Sequence, residues 1–202
     1  QIVLVDDGSN DNTLQIARKY DDKIDVFTIP NSGCEAAANF GIKHSRGEYI
    51  VRVDADDKMN IEALSRMDKI ILGDEMMFYY SDYEVINDDS DKVGAVDLPD
   101  FNVREIVQRG DFLATGTFYR KFDIEKLGGY NTAHKNCGLE NYELILKMIK
   151  SGYTGVRVKK KLFSYRKHSN NLSLTKRNKI KEYGSELMRL NGESQYQYNQ
   201  YH

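Results

Sequence analysis

The sequence predicts an α/β protein with a Rossmann-like, mostly parallel central sheet and helices on both faces. Short apolar segments rich in Val and Ile alternate with amphipathic segments along the first third of the chain, and acidic residues follow two of the apolar segments. Strands covered on both faces have this continuous apolar character. A chain of 202 residues is long enough for one substantial core, so we expect a single domain.

The first third of the chain has a strand and helix order typical of parallel sheets. QIVLVDDGS, KIDVFTIP and GEYIVRVDADD are predicted strands, and SNDNTLQIARKY, GCEAAANFGIKHS and NIEALSRMDKIIL are predicted helices. Ligands in such sheets bind beyond the carboxyl ends of the strands. Both acidic clusters of this region, 6–7 and 54–57, fall at those ends, which favours a binding site there.

The rest of the chain gives weaker patterns. EMMFYYSDYEVIN, DFLATGTFYRK and TGVRVKKKLFSYRKHS are predicted strands, and NVREIVQRG and LENYELILKMIKSGY are predicted helices. We expect one domain over residues 1–175 and a polar extension over 176–202 that ends in Gln, Asn and Tyr residues.

Cysteine content and hydropathy narrow the class of protein. Cys34 and Cys137 are too few for a disulfide framework, so we expect packing residues in a reducing, cytoplasmic setting. No apolar run reaches the length of a bilayer span. The chain begins at Gln1 without a methionine, so a missing natural start is one expectation.

The charge distribution is uneven. Residues 157–181 contain ten Lys and Arg, and all 31 acidic residues lie outside this range. The range is a solvated surface, or it binds an anionic ligand such as a diphosphate, or it contacts an anionic membrane peripherally. Nucleic acid is disfavoured as a partner because the acidic remainder would repel it.

Six motifs together carry a family resemblance. IVLVDDGSNDNT, NSGCEAAANFGI, GEYIVRVDADD, FYRKFDIEKLGGYN, LENYELILKMIKSGY and YRKHSNNLS occur in this order. Up to about residue 175 the chain resembles the family 2 glycosyltransferases, which have the GT-A fold of nucleotide-diphospho-sugar transferases. The resemblance implies a nucleotide-binding half over about 1–100 and an acceptor half over about 101–175.

The resemblance also implies an activity. Such enzymes move a sugar from a nucleotide-diphosphate donor of UDP or GDP type to a saccharide or lipid-linked acceptor, here with inversion and with Mn or Mg. It suggests surface polysaccharide or glycolipid synthesis at the cytoplasmic face of a membrane. A divalent cation held by carboxylates neutralises the departing diphosphate, so this transfer reaction requires acidic residues that bind the cation.

The acidic triplet matches the family's DxD element. By this resemblance Asp54 and Asp56 bind the nucleotide sugar, one carboxylate contacting the ribose, and Asp56 or Asp57 holds Mn or Mg. His168 resembles a late histidine of the family near the metal and diphosphate, and Arg166 beside it would complement phosphate charge. The structural alternative, acids that cap the next helix, accounts for one Asp and hardly for three.

Three further residues match positions that bind the nucleotide sugar. Asp6 and Asp7 match acids that grip the base, although Asp7 also suits a turn with the following Gly and Ser. Asn39 matches a family asparagine, but Ala38 stands where the family often has an Arg.

The candidate general base is Glu140. An inverting transferase needs a carboxylate to take the proton of the acceptor hydroxyl. The family places a Glu-Asp pair at this point with the Asp as base, whereas this sequence has Glu140 and Asn141. Because an amide cannot serve as base, Glu140 is expected to replace it, with Glu143 as the next candidate.

Two departures keep rival functions open. The family's usual first strand and helix are missing, so we expect an N-terminally truncated GT-A fold that is either a piece of a longer chain or a degenerate member. Together with Asn141, this favours a non-catalytic nucleotide-sugar or carbohydrate-binding relic. A nucleotidyltransferase is the second rival, because that class shares a similar sheet and metal use.

Overall fold

Strands and helices alternate in the computed structural model, which describes residues 1–71, 73, 76–109, 113, 116–193, 196 and 197. The elements are β1 (Val3–Asp6), α1 (Thr13–Ala17), β2 (Asp25–Thr28), α2 (Cys34–His44), β3 (Tyr49–Val51), β4 (Lys58–Met59), α3 (Ala63–Ile70), β5 (Met77–Ile86), β6 (Lys92–Val96), α4 (Val103–Arg109), β7 (Phe118–Arg120), α5 (Lys121–Lys126), α6 (Glu140–Lys150), β8 (Thr154–Arg166), α7 (Leu172–Thr175) and α8 (Arg177–Leu190). A single 3-10 turn, Arg18–Tyr20, follows α1. The six elements predicted for the first third of the chain are all present.

The strand pairing is mixed. β1 and β2 pair in parallel, and β5 and β8 form a second, longer parallel pair. The larger sheet has the order β3-β7-β5-β8-β4, with β6 paired to β5, and its other pairings are antiparallel. The parallel pairing that the sequence predicts is therefore found between β1 and β2 and between β5 and β8, whereas the larger sheet as a whole is mixed. β3 pairs with β7 rather than with β1, and a bond from the Gly116 N–H to the Arg52 carbonyl, 3.0 Å, extends this pairing.

The main core lies where β5 and β8 meet α6. β5 is buried along most of its length, because it is flanked by strands on both sides. Its side chains Phe78, Tyr80 and Tyr83 pack with Leu144 and Ile145 of α6. The start of α6 is thereby fixed relative to the sheet. The beginning of the predicted strand DFLATGTFYRK, at residues 111, 112, 114 and 115, lies outside the described residues.

Helix α8 packs against α6 and lies within the range predicted as a polar extension. Its buried residues join one apolar cluster with residues of α6, namely Leu139, Tyr142, Leu146, Ile180, Tyr183, Leu187 and Met188. The prediction missed this face because charged residues outnumber apolar ones along the helix. Residues 194, 195 and 198–202 of the predicted extension lie outside the described residues.

Part of the basic range is neutralised within the chain. Arg157 bonds both carboxylate oxygens of the buried Asp82, at 2.9 and 3.1 Å. Lys159 and Lys161 pair with Asp100 and Asp97, at 2.9 and 2.8 Å. These pairs reduce the positive charge that the β8 end of the range presents. Among the described residues, no helix combines the length and the apolar character that a bilayer crossing requires.

Candidate active site

A cavity of about 320 Å³ lies between the carboxyl end of β3 and the start of α6. Its lining includes the acidic triplet and the beginning of α6, and the lining residues are Cys34, Arg52, Asp54, Ala55, Asp56, Asp57, Gly138, Leu139, Glu140, Asn141, Tyr142, Tyr165, Asn171, Leu172, Ser173 and Ile180. The fold thus brings the predicted metal-side acids and the predicted base to one cavity.

Arg52 bridges the two acidic sides of this cavity. Its Nε donates to Asp54 Oδ1 at 2.6 Å, and its Nη1 donates to Glu140 Oε1 at 2.9 Å. Burial alone would lower the pKa of Arg52, but these two carboxylates outweigh it and raise the pKa well above its usual value. Sequence analysis missed this residue. Its signal was the spacing of two positions from Asp54, because alternate residues of an extended segment face the same side.

Glu140 and Asn141 have different partners at the start of α6. Glu140 is 8% exposed and faces Arg52, whereas the Asn141 Oδ1 accepts a hydrogen bond from the Tyr130 hydroxyl at 2.9 Å. The Arg52 guanidinium lies over the Tyr130 ring, 5.7 Å from its centre. Glu143 lies outside the lining residues and accepts hydrogen bonds from Asn131 and Tyr183. Of the two candidate bases, Glu140 is therefore the one that lines the cavity.

Asp56, which lines the cavity, pairs with His168, which lies outside the lining residues. The His168 Nε2 lies 2.9 Å from Asp56 Oδ2, and the His168 Nδ1 accepts from the Asn170 N–H at 3.1 Å. Because Nδ1 accepts, the ring proton lies on Nε2 and is donated to Asp56. Asp57 Oδ1 accepts from the Arg166 N–H at 2.8 Å. The Asp56 and Asp57 carboxylates fit Mn or Mg, because carboxylate oxygens are the preferred ligands of these hard cations. In this tautomer both ring nitrogens of the predicted ligand His168 are engaged, with Asn170 and with Asp56.

Arg166 holds the acidic loop to the turn between β5 and β6. Its guanidinium donates to the Asp56 carbonyl at 2.8 Å and to three groups of that turn, which are the Asn87 carbonyl, the Asp88 carbonyl and the Ser90 hydroxyl. The structure therefore places Arg166 beside the predicted metal ligands. Its guanidinium contacts are to the protein's own loops.

Asp6 and Asp7 organise the loops that follow β1 and β2. Asp6 is buried and accepts from the Ser9 N–H and the Thr28 hydroxyl. Hydrogen bonding to Ser9, chiefly from its side chain, together with the Thr28 hydroxyl, outweighs burial and holds the pKa of Asp6 below its usual value. Asp7 accepts from the backbone N–H groups of Ser32 and Gly33, at 2.6 and 2.8 Å. Asp7 thus fixes the entry to α2, whereas Asp6 joins the loop after β1 to the end of β2. Neither belongs to the cavity lining.

Asn39 fastens α2 to the segment before α6. Its Nδ2 donates to the Tyr130 carbonyl at 2.8 Å, and its Oδ1 accepts from the Tyr130 N–H at 2.9 Å. Gly129 has φ 69°, and a Cβ there would lie 2.5 Å from the Asn39 Oδ1. The close approach therefore requires glycine at this position.

Both cysteines lie beside Glu140. The Cys34 Sγ is 3.8 Å from Glu140 Oε1, and the Cys137 Sγ is 4.0 Å from Glu140 Oε2. Glu35, which is fully buried, accepts from the N–H groups of Asn136 and Cys137 at 2.9 Å each. Sequence analysis expected packing residues here, and 103 positions of sequence separate the two thiols. Nothing local in the sequence indicated that both lie beside the same carboxylate.

The geometry defines an α/β protein with an acidic, ligand-sized cavity at the carboxyl end of its strands, and comparisons with known proteins identify the family. Residues 1–137 match the family model described as Glycosyl transferase family 2. The chain belongs to glycosyl transferase family 2, and its fold is GT-A, as predicted.

Relatives and solved structures agree with this assignment. The chain is 26% identical over 182 residues to EpsE of Bacillus subtilis (strain 168), whose name describes a glycosyltransferase; the match covers 84% of this chain and 63% of EpsE. It is 37% identical over 92 residues to a glycosyltransferase-named protein of Rickettsia typhi, covering 45% of this chain and 29% of that one.

The structure of S. aureus TarS 1-349 in complex with UDP-GlcNAc superposes with a TM-score of 0.72 and 21% identity. That match covers 94% of this chain and 56% of the TarS chain. At this identity the likeness concerns the fold. The chain thus spans less than two thirds of the length of each of these relatives.

Proposed function

We propose that the protein transfers a sugar from a nucleotide-diphosphate donor to an acceptor hydroxyl, with Mn or Mg and with inversion at the anomeric carbon. The observation that carries the proposal is the cavity, which sets the triplet at the end of β3 opposite Glu140 at the start of α6. Membership of the family supports the class of reaction.

The triplet is the donor side of the cavity in this proposal. Asp56 and Asp57, with His168 beside them, hold the metal, and Asp54 faces the ribose. When bound, the metal neutralises the diphosphate as it leaves. A UDP-type donor is supported by the solved complexes of TarS with UDP-GlcNAc and with UDP, and a GDP-type donor is the alternative.

Glu140 is the acid on the acceptor side. Arg52 binds Oε1, so Oε2, which lies 4.0 Å from the Cys137 sulfur, takes the proton of the attacking hydroxyl. Asn141 stays bound to Tyr130 and orients the ring under Arg52. Attack then comes from the side of Glu140, opposite the diphosphate, which inverts the anomeric configuration.

The acceptor is a saccharide or a lipid-linked sugar, and the setting is surface polysaccharide or glycolipid synthesis at the cytoplasmic face of a membrane. Lys160 and Lys167 are exposed members of the basic range that would meet an anionic surface. Association with anionic vesicles is expected to fall with added salt, because exposed charges are screened beyond about 10 Å at 0.1 M.

A transfer assay with Mn and a panel of UDP and GDP sugars tests the proposal. Glu140→Gln is expected to abolish transfer and to preserve donor binding, because proton removal is lost and recognition is kept. Glu143→Gln, on the same helix but outside the cavity lining, is the matched control and is expected to keep transfer.

Full transfer by Glu140→Gln would exclude Glu140 as the base. Donor binding without turnover, in both the parent and Asn141→Asp, would favour the non-catalytic binding relic.

A further inference from the structure

Hydrogen bonds in both directions join the start of α2 to the segment before α6. The Asn136 Oδ1 accepts the Cys34 N–H at 2.9 Å, and the Asn136 N–H donates to Glu35 Oε2 at 2.9 Å. The other oxygen of Glu35, Oε1, accepts the Cys137 N–H at 2.9 Å. Glu35 is fully buried, so its bonds are shielded from water. These three bonds define what we call the Glu35–Asn136 pair.

Both residues are suited to these bonds. Asn136 has φ 51°, in the left-handed region, which asparagine adopts more readily than most residues. Gly33, the N-cap residue of α2, has no side chain to cap the helix, and the Asn136 side chain does so instead. Glu35 lies in the first turn of α2, where the helix dipole favours a negative charge. The two segments are therefore joined by groups that match in charge and conformation.

The Glu35–Asn136 pair lies directly behind the candidate base. Sulfur and oxygen atoms of Cys34, Glu35 and Glu140 lie within 4.8 Å of one another. Cys34 and Glu140 line the cavity, whereas Glu35 lies outside the lining residues. Glu35 therefore influences chemistry in the cavity only through the groups that it holds.

Cys137 connects the Glu35–Asn136 pair to Glu140. The Cys137 N–H is bonded to Glu35, and the Cys137 Sγ accepts the Leu139 N–H at 3.5 Å. The same sulfur lies 4.0 Å from Glu140 Oε2. Leu139 is the N-cap residue of α6, and Glu140 is the first residue of that helix. The start of α6, and with it the Glu140 carboxylate, is therefore placed by bonds that begin on α2.

We propose that Glu35 and Asn136 are positioning residues for the base Glu140, an inference that rests on the proposed function. The pair holds the first residue of α6 so that Oε2 of Glu140 faces the acceptor hydroxyl, whose proton then passes to that oxygen. A misplacement of about 1 Å can cost on the order of 100-fold in rate. Loss of the pair therefore slows transfer and leaves the donor side of the cavity intact.

Glu35→Gln and Asn136→Gly test the proposal in a transfer assay with Mn. Gln offers one oxygen to two N–H groups, whereas Gly adopts φ 51° freely but loses the bond to the Cys34 N–H. Each variant is expected to lower kcat about 10–100-fold and to leave the KM and the Kd of the donor within about twofold. The double variant should lose little more than the worse single variant, because both substitutions break the same contact.

Asp123→Asn is the matched control for loss of a buried carboxylate. Asp123 is buried, accepts from the Tyr153 hydroxyl at 2.8 Å and lies outside the cavity lining. Asp123→Asn is expected to lower stability and to keep kcat. Where Glu35→Gln does not fold, Asn136→Gly decides the question, because it retains the backbone bonds of residue 136. Unchanged kcat in the folded variants, or a raised donor KM at unchanged kcat, would overturn the proposal.

Amide hydrogen exchange gives a readout that does not depend on transfer. The amides of 136 and 137 should exchange faster in Glu35→Gln, and the faster exchange should extend to 139–143 at the start of α6. Exchange over 139–143 equal to that of the parent would overturn the proposal whether or not the chain transfers sugar. If the parent transfers no sugar, the proposed function fails, whereas the exchange rates still decide whether Glu35 and Asn136 hold the start of α6 in place.

Discussion

The Arg52 guanidinium joins Glu140, through Nη1 and Oε1 at 2.9 Å, to Asp54 on the opposite side of the cavity. This ion pair is largely shielded, because the two side chains are 20% and 8% exposed. Its loss leaves a carboxylate buried without its cation, a change that costs far more than loss of a surface pair.

Replacement of Arg52 is therefore expected to destabilise the fold. Arg52→Met should lower the free energy of unfolding by about 3 kcal/mol, and the double variant with Glu140→Gln should recover most of that loss. Urea unfolding measures both. Arg66→Met is the matched control, because its pair with Glu62 is exposed, and it should cost less than about 1 kcal/mol. Equal stability of the single and double variants would contradict the prediction.

The metal-side acids give a second prediction. Asp56→Asn and Asp57→Asn should each weaken UDP or GDP binding in Mn by about tenfold or more, since a ligand to the cation is lost. Asp57→Asn keeps an oxygen for the Arg166 N–H, so its fold should persist. Calorimetry provides the affinities, with exposed Asp89→Asn as the control. Equal affinity of the unmodified chain with and without Mn would contradict it.

Substitutions of Asn39 distinguish a structural role of this residue from a role in nucleotide binding. Asn39→Ala leaves the N–H and carbonyl of Tyr130 without partners, which should cost about 1–3 kcal/mol of stability. Asn39→Asp keeps the acceptor and loses the donor, so it should lie between. Thermal unfolding and UDP titration are run on each variant. Lost UDP affinity at unchanged stability would instead support the nucleotide-sugar contact that the family resemblance implies.

The C-terminal helix α8 is expected to belong to the cooperative core. Ile180 is 3% exposed, and Ile180→Ala should lower the free energy of unfolding by about 2–4 kcal/mol through the cavity it leaves. Leu190 lies on the same helix and is 60% exposed, so Leu190→Ala should change stability by less than about 0.5 kcal/mol. An effect of Ile180→Ala as small as that of Leu190→Ala would contradict the prediction, because α8 would then contribute little to the cooperative core.

The lowered pKa of Glu35 predicts that the stability of the fold depends on pH. Burial opposes ionisation of Glu35, but the N–H groups of Asn136 and Cys137 outweigh burial and lower its pKa. Because the unfolded state then takes up the proton first, stability is lost as the pH falls from about 4.3 through the folded pKa. The urea concentration at the midpoint of unfolding is measured from about pH 6 down to about pH 3. It should fall less steeply with decreasing pH in Glu35→Gln than in the parent. Parallel curves would exclude the effect.

The sequence predicted the elements of the first third from local hydrophobic periodicity, and the GT-A fold from the order of the motifs that carry the family resemblance. It did not reveal that β3 pairs with β7, since a three-residue strand is placed by its neighbours. The position of both cysteines beside Glu140 depends on hydrogen bonds between distant segments. The buried face of α8 was hidden by its many charges.

Arg166 ties the backbone of Asp56 and the carboxylate of Asp57 to the body of the sheet. The acidic loop is therefore preorganised, and the entropy of ordering it is lost when the chain folds and not when a ligand arrives. A donor meeting such a loop should bind with little structural adjustment. The affinity of the donor would then reflect the contacts that it forms in the cavity, with little subtracted for ordering the acidic loop.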